Sequence, residues 1–584
     1  MQTATYPPPR RRRGRGRAVL WMSSLLLLAV FVGVSIAWVN VNYGPVDTRI
    51  EPEYGSDKPV FYEGAPLQGG AIGSGEGLKL PLPMLQAALD PTMQYEEATK
   101  SVILTTADRV VRLATDQLTA WANDKPFELR FPVELVDGVP YVPIAPLSEL
   151  YGLEVVEAPE TGFVLLRKPG DVQAIVQAPL PDEANEPSRA VTLRSEPTVR
   201  APIVDELEPG ERAFVWGEAD GWYRVQSPSG HLGYADKREL VWAGTESVPF
   251  PAARRPYVPD RPIGQPIVLA WEQVYAKNPN PSNFGPMPGL NIVSPTWFHV
   301  LDGEGALENR ADAGYVRWAH DRGYRVWALF SNSFDPDLTA EALSTYDRRM
   351  TMARQLVSWA QLYELDGINV DFENVYVKDG PKLTQFLREL TPLLHEAGLT
   401  VSIDVTFAGG SETWSRFLDR KALGEIVDYM MVMAYDEHWA SSPVAGSVAS
   451  LPWVEDGMRR IIDEIGVPAE KLVLGVPFYT RVWTETAADG KTKVSSKAIG
   501  MDAAAAIVRE KGLAPTFDEA AGQHYVQYEE AGAVKKIWIE DDVSMKARVE
   551  LAKELGLAGI AAWSRNFASE RVWSTIEETL YGKP

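Results

Sequence analysis

The chain has 584 residues, 45% hydrophobic and 23% charged, with a net charge of −22 and no cysteine. That length is too great for one core and predicts about three or four domains, and the composition is that of a globular protein. The lack of cysteine excludes a disulfide framework and any thiolate metal centre.

Residues 10–17, "RRRRGRGR", hold six arginines and no acid, which leaves −28 on residues 18–584. A body so acidic repels phosphate backbones and argues against nucleic acid as a partner. The arginines could still form an isolated nucleic-acid tail, but the next segment opposes this. Residues 18–39, "AVLWMSSLLLLAVFVGVSIAWV", carry no charge. About 20 apolar residues cross a bilayer as a helix, and flanking arginines hold their end in the cytoplasm. The expected order is therefore a basic cytoplasmic tail at 1–17, a transmembrane anchor at 18–39, and a body outside the cell membrane. The alternative is a cleaved signal peptide with Ser35 and Ala37 at the small-residue site, leaving the body secreted.

Residues 40–78 contain "QGGAIGSGEG" and are expected to form a flexible tether. Residues 79–169 are expected to form a small α+β unit. Its β-branched runs "SVILTT", "RVVRLAT" and "TGFVLLRK" alternate with turn signals, and "PIAPLSELYGL" gives a short helix. The stretch "VPYVPIAPLSELYGLEVVEAPETGFVLLRK" resembles the module named after the N-terminal domain of copper amine oxidases, which recurs in exported Gram-positive proteins. It has no His or Cys to bind copper, so spacing or wall contact is its expected role.

Residues 189–243 carry "LRSEPTVRAPIV", "LEPGERAFV" and "GWYRVQSPSGHLGYA". Short strands separated by Gly turns predict a small all-β barrel, and the segment resembles bacterial SH3-like domains. The resemblance implies binding to cell-wall peptide or glycan, or a spacer role; Trp216, Trp222 and Tyr223 fit a core or a ligand surface equally. Residues 244–266 read as a Pro-rich, semi-rigid linker.

From 267 to 584 apolar strands alternate with amphipathic helices. The strands are "IVLAWEQV", "LNIVSPTWFHV", "YRVWALF", "DGINVDFE", "TVSIDVTF", "DYMMVMAYDEH", "KLVLGVPFY" and "AGIAAWSRN". Strands with crossovers at this spacing predict an α/β fold, a (β/α)8 TIM barrel, and near-continuous Val/Ile/Leu runs fit a parallel sheet buried on both faces. A doubly wound sheet is the alternative; the phosphate loop that would favour it is missing from "AWEQVYAKNPNPSNFGP".

In such barrels chemistry sits at the C-terminal ends of the strands. Along "INVDFE" side chains alternate with period two. Ile368, Val370 and Phe372 are expected to face the helices, while Asn369, Asp371 and Glu373 face the mouth. Two close carboxylates do not both ionise cheaply, so one should keep its proton near neutral pH.

"DGINVDFE" resembles the DGxxxDxE signature of family-18 glycoside hydrolases, the chitinase-like group. "MAYDEHW" resembles the strand-six motif, giving Tyr435 and Asp436, and "GIAAWSRN" resembles the strand-eight tryptophan that floors the sugar site, giving Trp563. "NIVSPTWF" is similar to strand two of the spore-cortex-lytic and germination-associated branch. Many family members have aspartate where Asn369 stands, which removes one neighbouring charge; this branch often carries asparagine there.

The resemblance implies a β-1,4 glycosidase with substrate-assisted, retaining chemistry, an exception to the two-carboxylate rule. Glu373 would protonate the leaving oxygen and then activate water. The substrate's own 2-acetamido oxygen would attack the anomeric carbon; Asp371 and Tyr435 would hold the acetamido group, Asp436 would bind the same sugar, and Asn369 would orient Asp371. The substrate must then carry N-acetyl groups, as peptidoglycan and chitin do. Asp366 is expected to support the turn before the strand. Trp297, Trp439 and Trp483 are candidates for stacking on sugar rings, residues 484–535 for a wall of the cleft. His438 has no partner at ligand spacing, so no metal and no cofactor is expected. A chitooligosaccharide hydrolase and a non-catalytic glycan-binding wall or sporulation protein remain as alternatives.

Overall fold

The computed structural model describes residues 15–180, 189–251, 257–259, 266–488 and 491–582. The expected basic tail up to residue 14 and most of the expected linker after 251 lie outside them. A helix spans Arg15–Tyr43. Its Trp21–Tyr43 part is the one helix among the described residues that is long and apolar enough to cross a membrane. The chain divides into two compact units, 1–91 with 135–253, and 92–134 with 254–584.

In the first unit, seven antiparallel strands build one sheet around Val176, Leu193, Leu207, Val225 and Ala235. It includes Val172–Gln177, which pairs with both Arg212–Ala219 and Val241–Ser247, so this sheet extends on both sides of the expected 189–243. Tyr223 packs against its core, and Trp216 Nε1 donates to Gln226 Oε1 at 3.2 Å.

The expected tether at 40–78 is corrected by the structure. Pro59–Tyr62 pairs in parallel with Val164–Arg167 and antiparallel with Ala65–Gly70. The amides of Val46 and Ile50 donate to the carbonyls of Val199 and Ile203. The physical reason is an aromatic anchor: the Tyr54 ring meets Phe61 at 4.9 Å and Phe163 at 5.5 Å, both edge-on. Gly-rich flanks hid a segment whose pairing partner lies far along the chain.

The second unit is a closed parallel barrel. Its strands are β1 (Ile267–Glu272), β2 (Ile292–Val300), β3 (Arg325–Ser331), β4 (Gly367–Asp371), β5 (Thr400–Val405), β6 (Tyr429–Met433), β7 (Leu472–Pro477) and β8 (Gly559–Trp563). Neighbours pair in order, and β8 closes the ring against β1 and β7. The strand alternation divides the apolar residues into two cores. Trp271, Trp327, Leu329, Met431 and Val473 fill the inside; Val268, Phe330, Ile368, Val370 and Val432 face the helices.

The N-terminal ends of β4 and β6 are stapled alike. Asp366 Oδ2 accepts from the Val326 amide at 2.8 Å and lies 2.9 Å from His320 Nε2. Asp428 Oδ2 accepts from Val401 N at 2.8 Å and lies 3.0 Å from His395 Nε2. Each acid fixes a strand to its neighbour at the end away from the site. At the other end, after β7, a five-stranded antiparallel sheet covers 479–539 and carries the helix Met501–Glu510.

Residues 92–134 add a second sheet, five antiparallel strands between Gln94 and Glu128. The expected 79–169 unit is therefore divided, because this part packs on the barrel. Ile103 and Val110 join the outer core. Glu96 reaches Arg349 of the helix Tyr346–Tyr363, and Gln94 donates to Gln385 of the helix Gly380–Glu396. These two helices flank β4.

Candidate active site

The site is built on the C-terminal end of β4. Asn369 and Asp371 are buried inside the barrel, and Glu373, two residues beyond, is half-buried at its mouth. Ile368, Val370 and Phe372 lie in the outer core, so the two faces of this strand separate as its period-two pattern requires. The backbone of Glu373 is fixed by Asn332, just past the end of β3: Asn332 Nδ2 donates to the Glu373 carbonyl at 2.7 Å, and its Oδ1 accepts from the Glu373 amide at 3.1 Å. Asn332 is fully buried and also donates to Thr339 Oγ1. Nothing in the sequence pattern singled it out.

Burial raises the pKa of Glu373 well above the ordinary carboxylate range, and the charges of Asp371 and Asp436 add to the shift. Asp371 is raised by burial and by the charge of Asp404 on β5. Its Oδ1 is buried with no hydrogen-bond partner. Asp404 is itself raised by burial and by Glu373, against a lowering hydrogen bond from Asn369. Three carboxyl groups thus stand close together in poorly solvated surroundings, where burial and mutual repulsion push their pKa values up.

Asn369 does not touch Asp371. Its Oδ1 accepts from Trp271 Nε1 at 2.8 Å and Ser294 Oγ at 3.3 Å, and its Nδ2 donates to Ser402 Oγ at 3.1 Å and Asp404 Oδ1 at 2.8 Å. The expectation that Asn369 orients Asp371 directly is therefore corrected: the amide holds Asp404. Trp271 has only an N–H to offer, so the oxygen of Asn369 must face it and the NH2 must face Asp404.

Tyr435 stands half-buried beyond β6, its hydroxyl pKa pushed up by burial and then by the charge of Asp404. Asp436 follows with a left-handed φ of 61°. It accepts from the Tyr479 hydroxyl at 2.6 Å and from Arg481 Nη2 at 3.1 Å. Tyr479 and Arg481 come from the first strand of the sheet inserted after β7, at residues 479–488. That insertion thus supplies a proton donor and a cation to the site, both missing from the sequence-level candidates. Arg481 Nε is buried without a partner.

Trp563 ends β8 half-exposed, 5.9 Å from the Trp271 ring, and closes the inner core from above. Trp439 is 52% exposed, its Nε1 donating to Ser441 Oγ. Trp297 is corrected: it is fully buried on the helix-facing side of β2, edge-on to Tyr315 at 5.6 Å, with Nε1 on Asn278 Oδ1 at 2.6 Å. No sugar can stack on it. Trp483 is also fully buried, donating to the Gly446 carbonyl. His438 Nδ1 lies 2.8 Å from the Ser447 carbonyl and shapes the loop that carries Trp439.

Residues 328–568 match the model for glycosyl hydrolases family 18. The barrel is a family-18 glycosidase domain. Residues 71–166 match the copper amine oxidase N-terminal domain and residues 189–241 the bacterial SH3 domain. The chain is 24% identical over 301 residues to the "uncharacterized glycosylase YvbX" of Bacillus subtilis (strain 168), covering 50% of this chain and 84% of that protein. It is 28% identical over 254 residues to the cortical fragment-lytic enzyme of the same organism, covering 43% of this chain and 58% of that enzyme's length. Among solved structures, the spore cortex-lytic enzyme SleL of Bacillus megaterium QM B1551 superposes with a TM-score of 0.49 at 21% identity, over 58% of this chain and 78% of the other. The family-18 domain is thus related in sequence to cortex-lytic enzymes, and it is also related to chitinases.

Proposed function

We propose that the family-18 domain cleaves peptidoglycan at β-1,4 bonds that follow N-acetylglucosamine, by substrate-assisted retaining catalysis. The observation that carries this reading is Glu373: a carboxyl at the barrel mouth whose pKa is pushed up by burial and by two neighbouring acids. Such a group can deliver a proton to the leaving oxygen near neutral pH. The 2-acetamido oxygen of the substrate then attacks its own anomeric carbon, giving an oxazolinium ion. Asp371 faces that cation, Tyr435 donates to the acetamido oxygen, and Glu373, now ionised, takes a proton from the incoming water. Asp436, held by Tyr479 and Arg481, binds the sugar hydroxyls, with Trp563 beneath the ring and Trp439 at the rim.

The apolar helix would anchor the body outside the membrane, and the bacterial SH3 domain would hold it to wall glycan or peptide. The relatives named for cortex lysis favour peptidoglycan over chitin, whose chemistry at the cleaved bond is the same. Mass spectrometry of purified sacculi after digestion decides between them. The expected result is new N-acetylglucosamine reducing ends with the wild type and none with Glu373→Gln. Release of chitooligosaccharides from chitin with no attack on sacculi would overturn the substrate assignment, and glycan binding without turnover would overturn the enzyme.

A further inference from the structure

The geometry points to Asp404 as a positioning residue for this reaction: it holds the buried negative charge beneath the site and shares a single proton with Asp371, an arrangement that Asn369 makes possible. The inference rests on the substrate-assisted reading above.

In the pairing of β4 with β5, Asn369 lies opposite Ser402 and Val370 opposite Ile403. The next step of that register places Asp404 beside Asp371, on strands about 4.8 Å apart. Both side chains point into the barrel, 3% and 5% exposed. Two carboxylates so placed cannot both ionise. Their hydrogen bonds decide which one does. Asp404 receives the Asn369 amide at 2.8 Å, which favours the anion; Asp371 Oδ1 has no partner, which favours the acid. The resting state is then ionised Asp404 with protonated Asp371.

An ionised aspartate at 369 could accept from Trp271 and Ser294 as the asparagine does, but it could not donate to Asp404. Asparagine at 369 and aspartate at 404 therefore make sense together. The charge that Asn369 lacks is not lost but moved to the neighbouring strand. The other groups facing this pair are Glu373 and Tyr435, while Asp436 faces Glu373 and is paired with Arg481. From β1 and β2, Trp271 and Ser294 reach Asn369. Among the described residues no ion pair to Asp404 is formed.

During the reaction positive charge develops on the oxazolinium ring. The proton passes from Asp371 to Asp404, so Asp371 becomes the anion that faces the ring and Asp404 becomes neutral. The pair carries one negative charge throughout, and no proton has to enter or leave the buried floor.

The test compares the wild type with Asp404→Asn, Asp404→Ala and the swap Asn369→Asp/Asp404→Asn, using the full chain in detergent and a fluorogenic N,N′-diacetylchitobioside. Asp404→Asn should lower kcat by about 10²-fold with KM changed less than about threefold. The swap, which returns the carboxylate to β4 with an amide beside it, should recover at least about tenfold of that loss. Equal kcat in Asp404→Asn and wild type, or a swap no better than Asp404→Asn while both melt like wild type, overturns the proposal.

Isotope-edited infrared spectra of protein labelled with [4-13C]aspartate give a readout independent of turnover. A protonated aspartic carbonyl band should persist at neutral pH in the wild type and vanish in Asp371→Asn and Asp404→Asn alike. Its persistence in Asp404→Asn refutes the shared proton. Should the wild type prove inactive on every glycan, the enzymatic reading fails while this spectrum still judges the carboxyl pair.

Discussion

Replacing Arg349 with methionine probes how residues 92–134 are held to the barrel. Arg349 is 3% exposed and Glu389 is 1% exposed, and they form two parallel hydrogen bonds at 2.8 Å. A third bond, at 3.1 Å, runs to Glu96 of the docked sheet, and a fourth to the Leu343 carbonyl. Burial raises the pKa of Glu389, and Arg349 opposes that rise. Arg349→Met would leave a fully buried carboxylate without its cation, a change that costs about 3–5 kcal/mol. For a unit of this size that is roughly 4–6 °C in the melting temperature.

The loss should depend on pH, and the sign follows from linkage. Without Arg349 the folded pKa of Glu389 rises further above its unfolded value of about 4.3. The deficit relative to the wild type opens above the wild-type folded pKa of Glu389, itself raised, and grows by about 1.4 kcal/mol per pH unit until the folded pKa of the variant is reached. Differential scanning calorimetry at pH 5 and pH 7 should therefore find the smaller deficit at pH 5. Arg349→Met/Glu389→Met, which removes both charges, should recover much of the stability, and Gln94–Glu96 amides should exchange faster in the single variant than in the double. A deficit independent of pH, or a double variant as unstable as the single one, would refute a charge-based account.

Three further outcomes follow from the site and its supports. Glu373→Gln should lower kcat on muropeptides by about 10²–10⁴-fold with binding retained, and wild-type activity should fall toward high pH as the raised Glu373 loses its proton, read from the alkaline limb of the rate profile. Trp297→Ala should destabilise the barrel by about 3–5 kcal/mol and leave KM unchanged, whereas Trp439→Ala should raise KM without altering the melting temperature; calorimetry with steady-state kinetics separates the two. Asp366→Ala strands the buried Val326 amide and should reduce stability by about 1–3 kcal/mol, with kcat unchanged in assays run below the melting transition.

The barrel was legible because its strands carry a period that the fold obeys: Ile368, Val370 and Phe372 against Asn369, Asp371 and Glu373 is a two-faced strand in six letters, and the structure separates those faces. The same rule contained the answers that were missed. In "NIVSPTWF" the inward positions are Ile292, Ser294 and Thr296, so alternation places Trp297 outward; its aromatic character, not its position, made it a sugar-binding candidate. In "TVSIDVTF" the inward positions are Ser402 and Asp404, a polar pair on the strand beside the catalytic one, yet no family signature directs the eye there. Period two locates a side chain on a face but not its hydrogen bonds. That Asn369 serves Asp404 rather than Asp371 depends on a donor from Trp271, 98 positions away in sequence. Asn332, Tyr479 and Arg481 were hidden for the same reason, since each reaches the site from another element whose placement only the closed barrel decides. Local pattern reads out which residues are inside; the order in which protons are shared among them is set by contacts between strands.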